Sequence, residues 1–340
     1  MSPRRSGCGG CLARVVGVVF LLAILGAAGV YFALFQPYQG FQNSAFVEIP
    51  KGTTTRGIAD QLAKAGVIRG AWQFLVARAL RPGAHLQAGE YRFANPATVW
   101  TVYDRISRGD IFFYELTVPE GSNMFDIAAG IERLGIMSTE DFLKAARDPG
   151  MIHSLAPQAP TLEGYLFPST YRLTRHMTAP QVCQLMTETF RKKWQQLVTP
   201  GQVQSVNDAV TLASLVEKET GVPDERATVA SVYVNRLRIG MALDCDPTTI
   251  YAALLEHRYR GTIYKSDLES THAYNTYQHA GLPPGPIANP GAASLKAALN
   301  PASTNYLYFV ARADGSGGHH FSTTIEEHER AVQAYRRAQR

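Results

Sequence analysis

The chain has 340 residues, 46% of them hydrophobic and 18% charged. That is a globular balance, with length enough for two domains, and it excludes a largely disordered chain. Lys and Arg number 33 against 28 Asp and Glu, a formal charge of +5; with no basic run, zinc-finger spacing or RNA-binding signature, nucleic acid is not an expected partner, whereas mild basicity suits an anionic lipid or polymer surface.

Residues 15–35 are uncharged and apolar, long enough to cross a hydrocarbon core of ~30 Å as one helix. Arg4, Arg5 and Arg14 precede them, while Gln36 and Pro37 follow. The tail 1–14 is therefore expected in the cytoplasm and the rest outside, a single pass through the cytoplasmic (inner) membrane. A cleaved signal carries a shorter apolar region of ~7–15 residues, and Gly26-Ala27-Ala28 is a weak cleavage site. Cys8 and Cys11 form a lone C-x-x-C, weak ground for a metal. Cys183 and Cys245 fall outside the membrane, where a disulfide is chemically open to them; the simpler expectation is two buried small side chains.

After a linker (36–45) a pattern appears twice. Residues 46–52 read as a short alternating strand ended by Pro50-Lys51-Gly52, then a helical stripe of Ile58, Ala59, Leu62 and Ala65 closed by Gly66. Leu116 to Gly121, then Ile127, Ala128, Ile131 and Leu134 closed by Gly135, repeat it. Pro50/Pro119, Gly52/Gly121 and Gly66/Gly135 share one offset of 69 residues. Between the copies, 72–80 and 99–107 read as helices and 89–93 as a strand. Strand, helix, helix, strand over 46–112 resembles a LysM-type module, a fold that binds N-acetylglucosamine polymers. The segment 113–200 is read as the second strand-helix module with a connecting region.

Residues 201–340 differ in texture. Helices are expected over 207–219 and 226–238, a Pro/Gly-rich loop over 281–291, a strand over 306–311, a Gly-rich turn, a strand from Phe321 and a last helix from Ile325. The fold class expected is α+β: a single transmembrane helix, the LysM-like module, then a mostly helical domain with a small sheet.

On a wheel of 207–219, Glu219 falls in the sector of Leu212, Leu215 and Val216, Glu217 nearer Val210 and Ala213, and Lys218 in solvent. A carboxyl against apolar side chains at a helix C-terminus has its proton held more tightly, as a general acid requires. The wheel alone leaves Glu217 and Glu219 both open. Downstream, Asn235-Arg236, Asp244, Asp246 and Tyr274-Asn275-Thr276-Tyr277 offer the aromatics, amides and hydroxyls that suit sugar rings.

The blocks Glu217-Lys218-Glu219-Thr220, Ser231-Val232-Tyr233-Val234-Asn235-Arg236-Leu237, Ala273-Tyr274-Asn275-Thr276-Tyr277 and Gly281-Leu282-Pro283-Pro284-Gly285-Pro286-Ile287 resemble the MltG (YceG-like) family of endolytic murein transglycosylases. Leu162-Glu163-Gly164-Tyr165-Leu166-Phe167-Pro168 and the aromatic strand before Gly318-His319 add to the match, which covers residue 46 to the C-terminus plus the anchor. Ser169 stands where the family usually has Asp, and Cys245 and His320 occupy variable spots. The resemblance implies that Glu219 is the catalytic acid in 201–340, and that the glycosidic bond from N-acetylmuramic acid to N-acetylglucosamine is cut with formation of a 1,6-anhydro end, ending glycan growth. It implies peptidoglycan strands and wall-building penicillin-binding proteins as partners. One carboxyl group suffices, with no cofactor and no metal. Arg236, Asn235, Tyr274, Asn275, Glu163 and Tyr165 are the candidate substrate-binding residues. A hydrolytic muramidase would use a second carboxylate, Asp246 or Glu163; a non-catalytic glycan-binding anchor is the reading from another class.

Overall fold

In the computed structural model, residues 9–199 and 201–339 are described. Arg4, Arg5, Cys8 and the side chain of Cys11 lie outside the described residues, and with them the C-x-x-C. The chain divides into two units, 1–113 and 114–340.

The first unit begins with helix α1 (Gly9–Phe35), whose stretch Ala13–Phe35 has a mean hydropathy of 2.5 and is long and apolar enough to cross a membrane. Its side chains from Ala13 to Gly29 stand exposed, Val30 and Ala33 are half-buried, and Leu34 is buried in the core of this unit. There the Gln73 amide donates to the Ala33 carbonyl at 2.7 Å. Strand β1 (Ala45–Ile49) leads into helices α2 (Thr55–Lys64) and α3 (Ala71–Leu80), and strand β2 (Gly89–Phe93) returns antiparallel to β1, with Ala45 opposite Phe93. Alternation decides the faces: Ala45, Val47 and Ile49 point into the core while Phe46 and Glu48 point out. Helix α4 (Val99–Arg108) completes the unit.

The second unit opens with the same order: β3 (Tyr114–Thr117), α5 (Met124–Arg133), α6 (Thr139–Ala146), then β4 (Thr170–Leu173) antiparallel to β3. The repeated glycines have one cause. Gly52 and Gly121 sit at φ 84° and 76°, and Gly66 and Gly135 at 69° and 68°, a left-handed region that a side chain makes costly. The connecting part of 113–200 also holds helix α7 (Ala179–Leu197), which the sequence reading does not resolve. Pro180 lies in its first turn, and Val182, Cys183, Met186, Phe190 and Trp194 form its buried stripe.

Helix α8 (Val206–Glu219) follows, capped by Ser205, whose hydroxyl accepts from the Asp208 amide at 3.1 Å. Helices α9 (Arg226–Arg238), α10 (Asp246–Leu255), the short α11 (Lys265–Leu268) and α12 (Ala292–Leu299) come next. The hairpin β5 (Tyr308–Ala311) with β6 (His319–Ser322) and helix α13 (Ile325–Ala338) end the chain. The class is α+β, built among the described residues from helices and three two-stranded antiparallel sheets.

Helix α8 is the spine of the second unit because it is apolar on two sides. Val210 and Ala213 enter a core shared with α5, α6 and α7, while Leu212, Leu215 and Val216 enter a second cluster with α9, α10 and Cys245. Each buried Val or Leu contributes roughly 1.5–3 kcal/mol, so the helix is held from both flanks and its last turn is placed firmly.

Candidate active site

Glu219 is the last residue of α8; Thr220 caps it, and Pro223 three residues further on prevents continuation. Glu217 and Glu219 lie about 160° apart around the helix, and their surroundings differ accordingly. Glu217 faces the Pro-rich strap, where its Oε2 accepts from the Gly291 amide at 2.9 Å. Lys218 is exposed, with Nζ donating to the Gly121 carbonyl at 3.3 Å. Glu219 turns to the second cluster, in the sector the wheel assigns it.

There the Cys245 thiol donates to Glu219 Oε1 at 3.1 Å. Burial pushes the Glu219 carboxyl above its ordinary value; the Cys245 bond and the nearby Tyr233, 1% exposed, pull it back, Asp246 pushes it up and His319 lowers it. The residue as a whole remains half-buried, so a carboxyl with raised proton affinity stands at the edge of an apolar wall. His319 is itself held by Glu225, which meets its Nδ1 at 2.8 Å and its backbone amide at 2.9 Å. Asp246 Oδ1 accepts from the Tyr277 hydroxyl at 2.7 Å.

The polar residues expected to contact substrate are largely occupied within the protein. Arg236 Nε donates to the Leu307 carbonyl at 2.6 Å, and its Nη1 to those of Ala242 and Leu243 at 3.1 and 2.9 Å. Asn235 Nδ2 donates to the carbonyls of Thr304 and Tyr306 at 2.9 and 3.0 Å. Asn275, fully buried, closes its own loop by donating to the Leu268 and Ser270 carbonyls. Tyr274 is buried against Tyr251, with ring centroids 5.1 Å apart. Tyr165 is enclosed, its hydroxyl donating to Asn207 Oδ1 at 3.2 Å. Glu163 is also enclosed; it accepts from the Met124 amide at 2.9 Å and from Asn289 Nδ2 at 2.7 Å. Burial pushes its carboxyl up to about 8.

These bonds tie the surrounding elements together within the protein. The strap 281–291 is irregular, yet Pro286, Ile287, Ala288, Asn289 and Pro290 are buried. Asn207 and Ser214 pin it to α8 through the Pro284 carbonyl at 3.2 Å and the Ile287 amide at 3.1 Å, joining Glu217. One stripe of α8 thus binds the strap while the opposite stripe carries Glu219.

Two neighbours of Glu219 escape sequence reasoning. Tyr233 lies inside a quoted block without an assigned role, and its place, three residues before Arg236 on α9, is the available hint. Cys245 has no local signature; only the tertiary turn before α10 brings it under Glu219. Cys183 and Cys245 are both free and buried.

The sequence profile of the YceG-like family matches residues 47–334. The chain belongs to the YceG-like family. Among its relatives is a protein of Bacillus subtilis (strain 168) named endolytic murein transglycosylase, 31% identical over 333 residues, covering 92% of this chain and 91% of that one. A Streptococcus pneumoniae serotype 2 protein (strain D39 / NCTC 7466) of the same name is 27% identical over 361 residues, 94% of this chain but 64% of the longer relative. A crystal structure of a yceG-like protein from Listeria monocytogenes superposes with a TM-score of 0.55 at 32% identity, covering 85% of this chain and 99% of that one. The YceG-like profile thus spans both strand-helix-helix-strand modules and the blocks around Glu219.

Proposed function

We propose that the protein is an endolytic lytic transglycosylase that cuts peptidoglycan strands between N-acetylmuramic acid and N-acetylglucosamine, with Glu219 as its acid. The observation that carries the reading is the placement of one carboxyl at the end of α8, raised by burial and hydrogen-bonded by Cys245; the names of the relatives support it.

In the proposed reaction Glu219 gives its proton to the bridging oxygen as the bond from the muramic acid anomeric carbon breaks. Positive charge builds at that carbon, and the sugar's own 6-hydroxyl attacks it. The carboxylate takes the hydroxyl proton, so Glu219 ends protonated again and the product carries a 1,6-anhydro end. Water is not consumed. Such a cut would end strand elongation. Arg236, Asn235, Asn275, Tyr274, Glu163 and Tyr165 serve this chemistry by fixing the cleft walls.

Helix α1 is assigned as the anchor, with 1–14 cytoplasmic, 36–45 as linker and the remainder outside, beside penicillin-binding proteins that build the strands. The strand-helix-helix-strand order of 46–112 supports a LysM-like glycan holder, 113–200 a second module with its connection, and 201–340 the catalytic domain.

A second reading has one supporting observation: Asp246 is close enough to push the Glu219 carboxyl up, so it is the available base for a hydrolytic muramidase. Digestion of purified peptidoglycan by the full chain in detergent, followed by mass analysis, separates the two. Anhydro-muramyl ends support the transglycosylase. Reducing ends support the muramidase, and intact glycan in the presence of folded protein refutes both.

A further inference from the structure

Glu219 has a hydrogen-bond partner that the proposed reaction does not itself consume. Cys245 is 1% exposed, and its thiol reaches Oε1 at 3.1 Å. The thiol is not needed to fill space alone, since an apolar side chain would do so without aiming a donor.

The thiol is held from both sides of its own backbone. The Cys245 amide donates to Thr276 Oγ1 at 3.0 Å, and its carbonyl accepts from Thr248 Oγ1 at 2.6 Å. The two threonine hydroxyls meet at 3.0 Å. The preceding residue, Asp244, has φ 48°, a left-handed conformation rare outside glycine. Arg236 fixes that turn by gripping the Ala242 and Leu243 carbonyls. A strained turn pinned by a buried guanidinium delivers one thiol to one carboxyl oxygen. Strain of this kind persists where the surroundings over-determine it.

We infer that Cys245 is a positioning residue that clamps Glu219 Oε1 as a hydrogen-bond donor and leaves the acid proton on Oε2. This deepens the reading of Glu219 as the acid and rests on it. A donor aimed at Oε1 makes that oxygen an acceptor, so the transferable proton resides on the other oxygen. The donor keeps its own proton, because burial raises the thiol well above its ordinary value. The other groups acting on the carboxyl are Asp246 of α10, which raises it, and Tyr233 of α9 and His319 of β6, which lower it; Glu225 stands behind His319. None of these is touched by changing the clamp.

The clamp stabilises the carboxylate relative to the acid. Removing a donor therefore raises the pH at which Glu219 loses its proton, and the basic limb of the rate profile moves up with it. The test measures rate against pH at low peptidoglycan concentration, using the full chain in detergent, for wild type, Cys245→Ala, Cys245→Val and Cys245→Ser. The Ala and Val variants should move the basic limb up by about half a pH unit or more, and the Ser variant, whose hydroxyl donates more strongly than a thiol, should stay at or below wild type. Limbs that coincide in all four proteins overturn the clamp, as does a Ser variant that moves up with Ala, which is the signature of lost packing. Should Cys245→Ala fail to fold, Cys245→Val, which fills the site without a donor, decides with Cys245→Ser. A 13C titration of the Glu219 carboxyl, assigned by its loss in Glu219→Gln, reads the same shifts without activity. Full activity in Glu219→Gln would end the reading of Glu219 as acid, and the titration would still score the clamp.

Discussion

Glu163→Gln carries a pH signature that follows from burial. Glu163 is 0% exposed, and burial pushes its carboxyl from an ordinary 4.5 up to about 8, against the bond donated by the Met124 amide and the lowering effect of Tyr251 and Gly164. The folded protein therefore keeps a proton that the unfolded chain has already released. This contribution to stability is full below the unfolded value near 4.5, declines as the pH rises and is gone once the folded value is passed. The span from 4.5 to about 8, at ~1.36 kcal/mol per pH unit, corresponds to a loss on the order of 5 kcal/mol. The amide variant does not titrate. It places an amide donor against the Met124 or Asn289 donor, but that cost is the same at every pH. The Glu219 carboxyl titrates in both proteins and cancels. Urea denaturation of the full chain in detergent would report the difference, followed by Trp194 fluorescence in a Trp72→Phe, Trp100→Phe background. Trp194 stacks on Phe190, which packs edge-on against Tyr165 in the same core. Between pH 5 and pH 8.5 the variant should gain on wild type by several kcal/mol. Parallel stability curves would refute the argument.

The remaining predictions concern the frame of the cleft. Arg236→Lys cannot reproduce the fork that holds the Leu307, Ala242 and Leu243 carbonyls; leaving two buried carbonyls bare should cost about 2–4 kcal/mol by denaturant titration. Gly164→Ala meets both a φ of 87° and a Cβ position 2.4 Å from Pro286 Cγ, and should lose about 3 kcal/mol, whereas Gly221→Ala, with open space around it, should change stability by less than ~1 kcal/mol. Native full-chain protein treated with iodoacetamide at pH 8 should leave Cys183 and Cys245 unmodified in peptide mapping. Burial holds the first thiol up to about 12 and the second well above its ordinary value; rapid labelling of either would contradict their enclosure.

Local periodicity made much of the fold legible. Helix α9 begins at Arg226 and ends at Arg238 as its pattern implies, and β2 spans Gly89–Phe93 as read. The paired glycines at 52 and 121 announced turns whose left-handed φ the structure confirms. The apolar run before Gln36 announced one long helix. Helix α7 was equally available, since its stripe from Val182 to Trp194 keeps helical spacing behind Pro180; its polar exposed face, rich in Gln, Lys and Thr, blurred the pattern.

The candidate site was legible only in part, for a physical reason. The wheel could sort the sides of α8, and the strap and the second cluster occupy those two sides as sorted. It could not tell which carboxyl would meet a backbone amide and which a thiol, because that depends on segments 26 and 74 residues away. Polar type alone also misleads about role. Asn275 and Arg236 carry side chains suited to sugars, yet their donors end on main-chain carbonyls within the protein. Buried polar groups must find partners, and irregular loops such as the strap need many.

The most direct test of the account compares muropeptide ends after full-chain wild type, Glu217→Gln and Glu219→Gln have each acted on purified peptidoglycan in detergent. Glu217 bonds the strap and Glu219 the Cys245 thiol, so anhydro-muramyl ends should appear with the first two proteins and be absent with Glu219→Gln. Anhydro ends at the wild-type level from a folded Glu219→Gln protein would contradict the account.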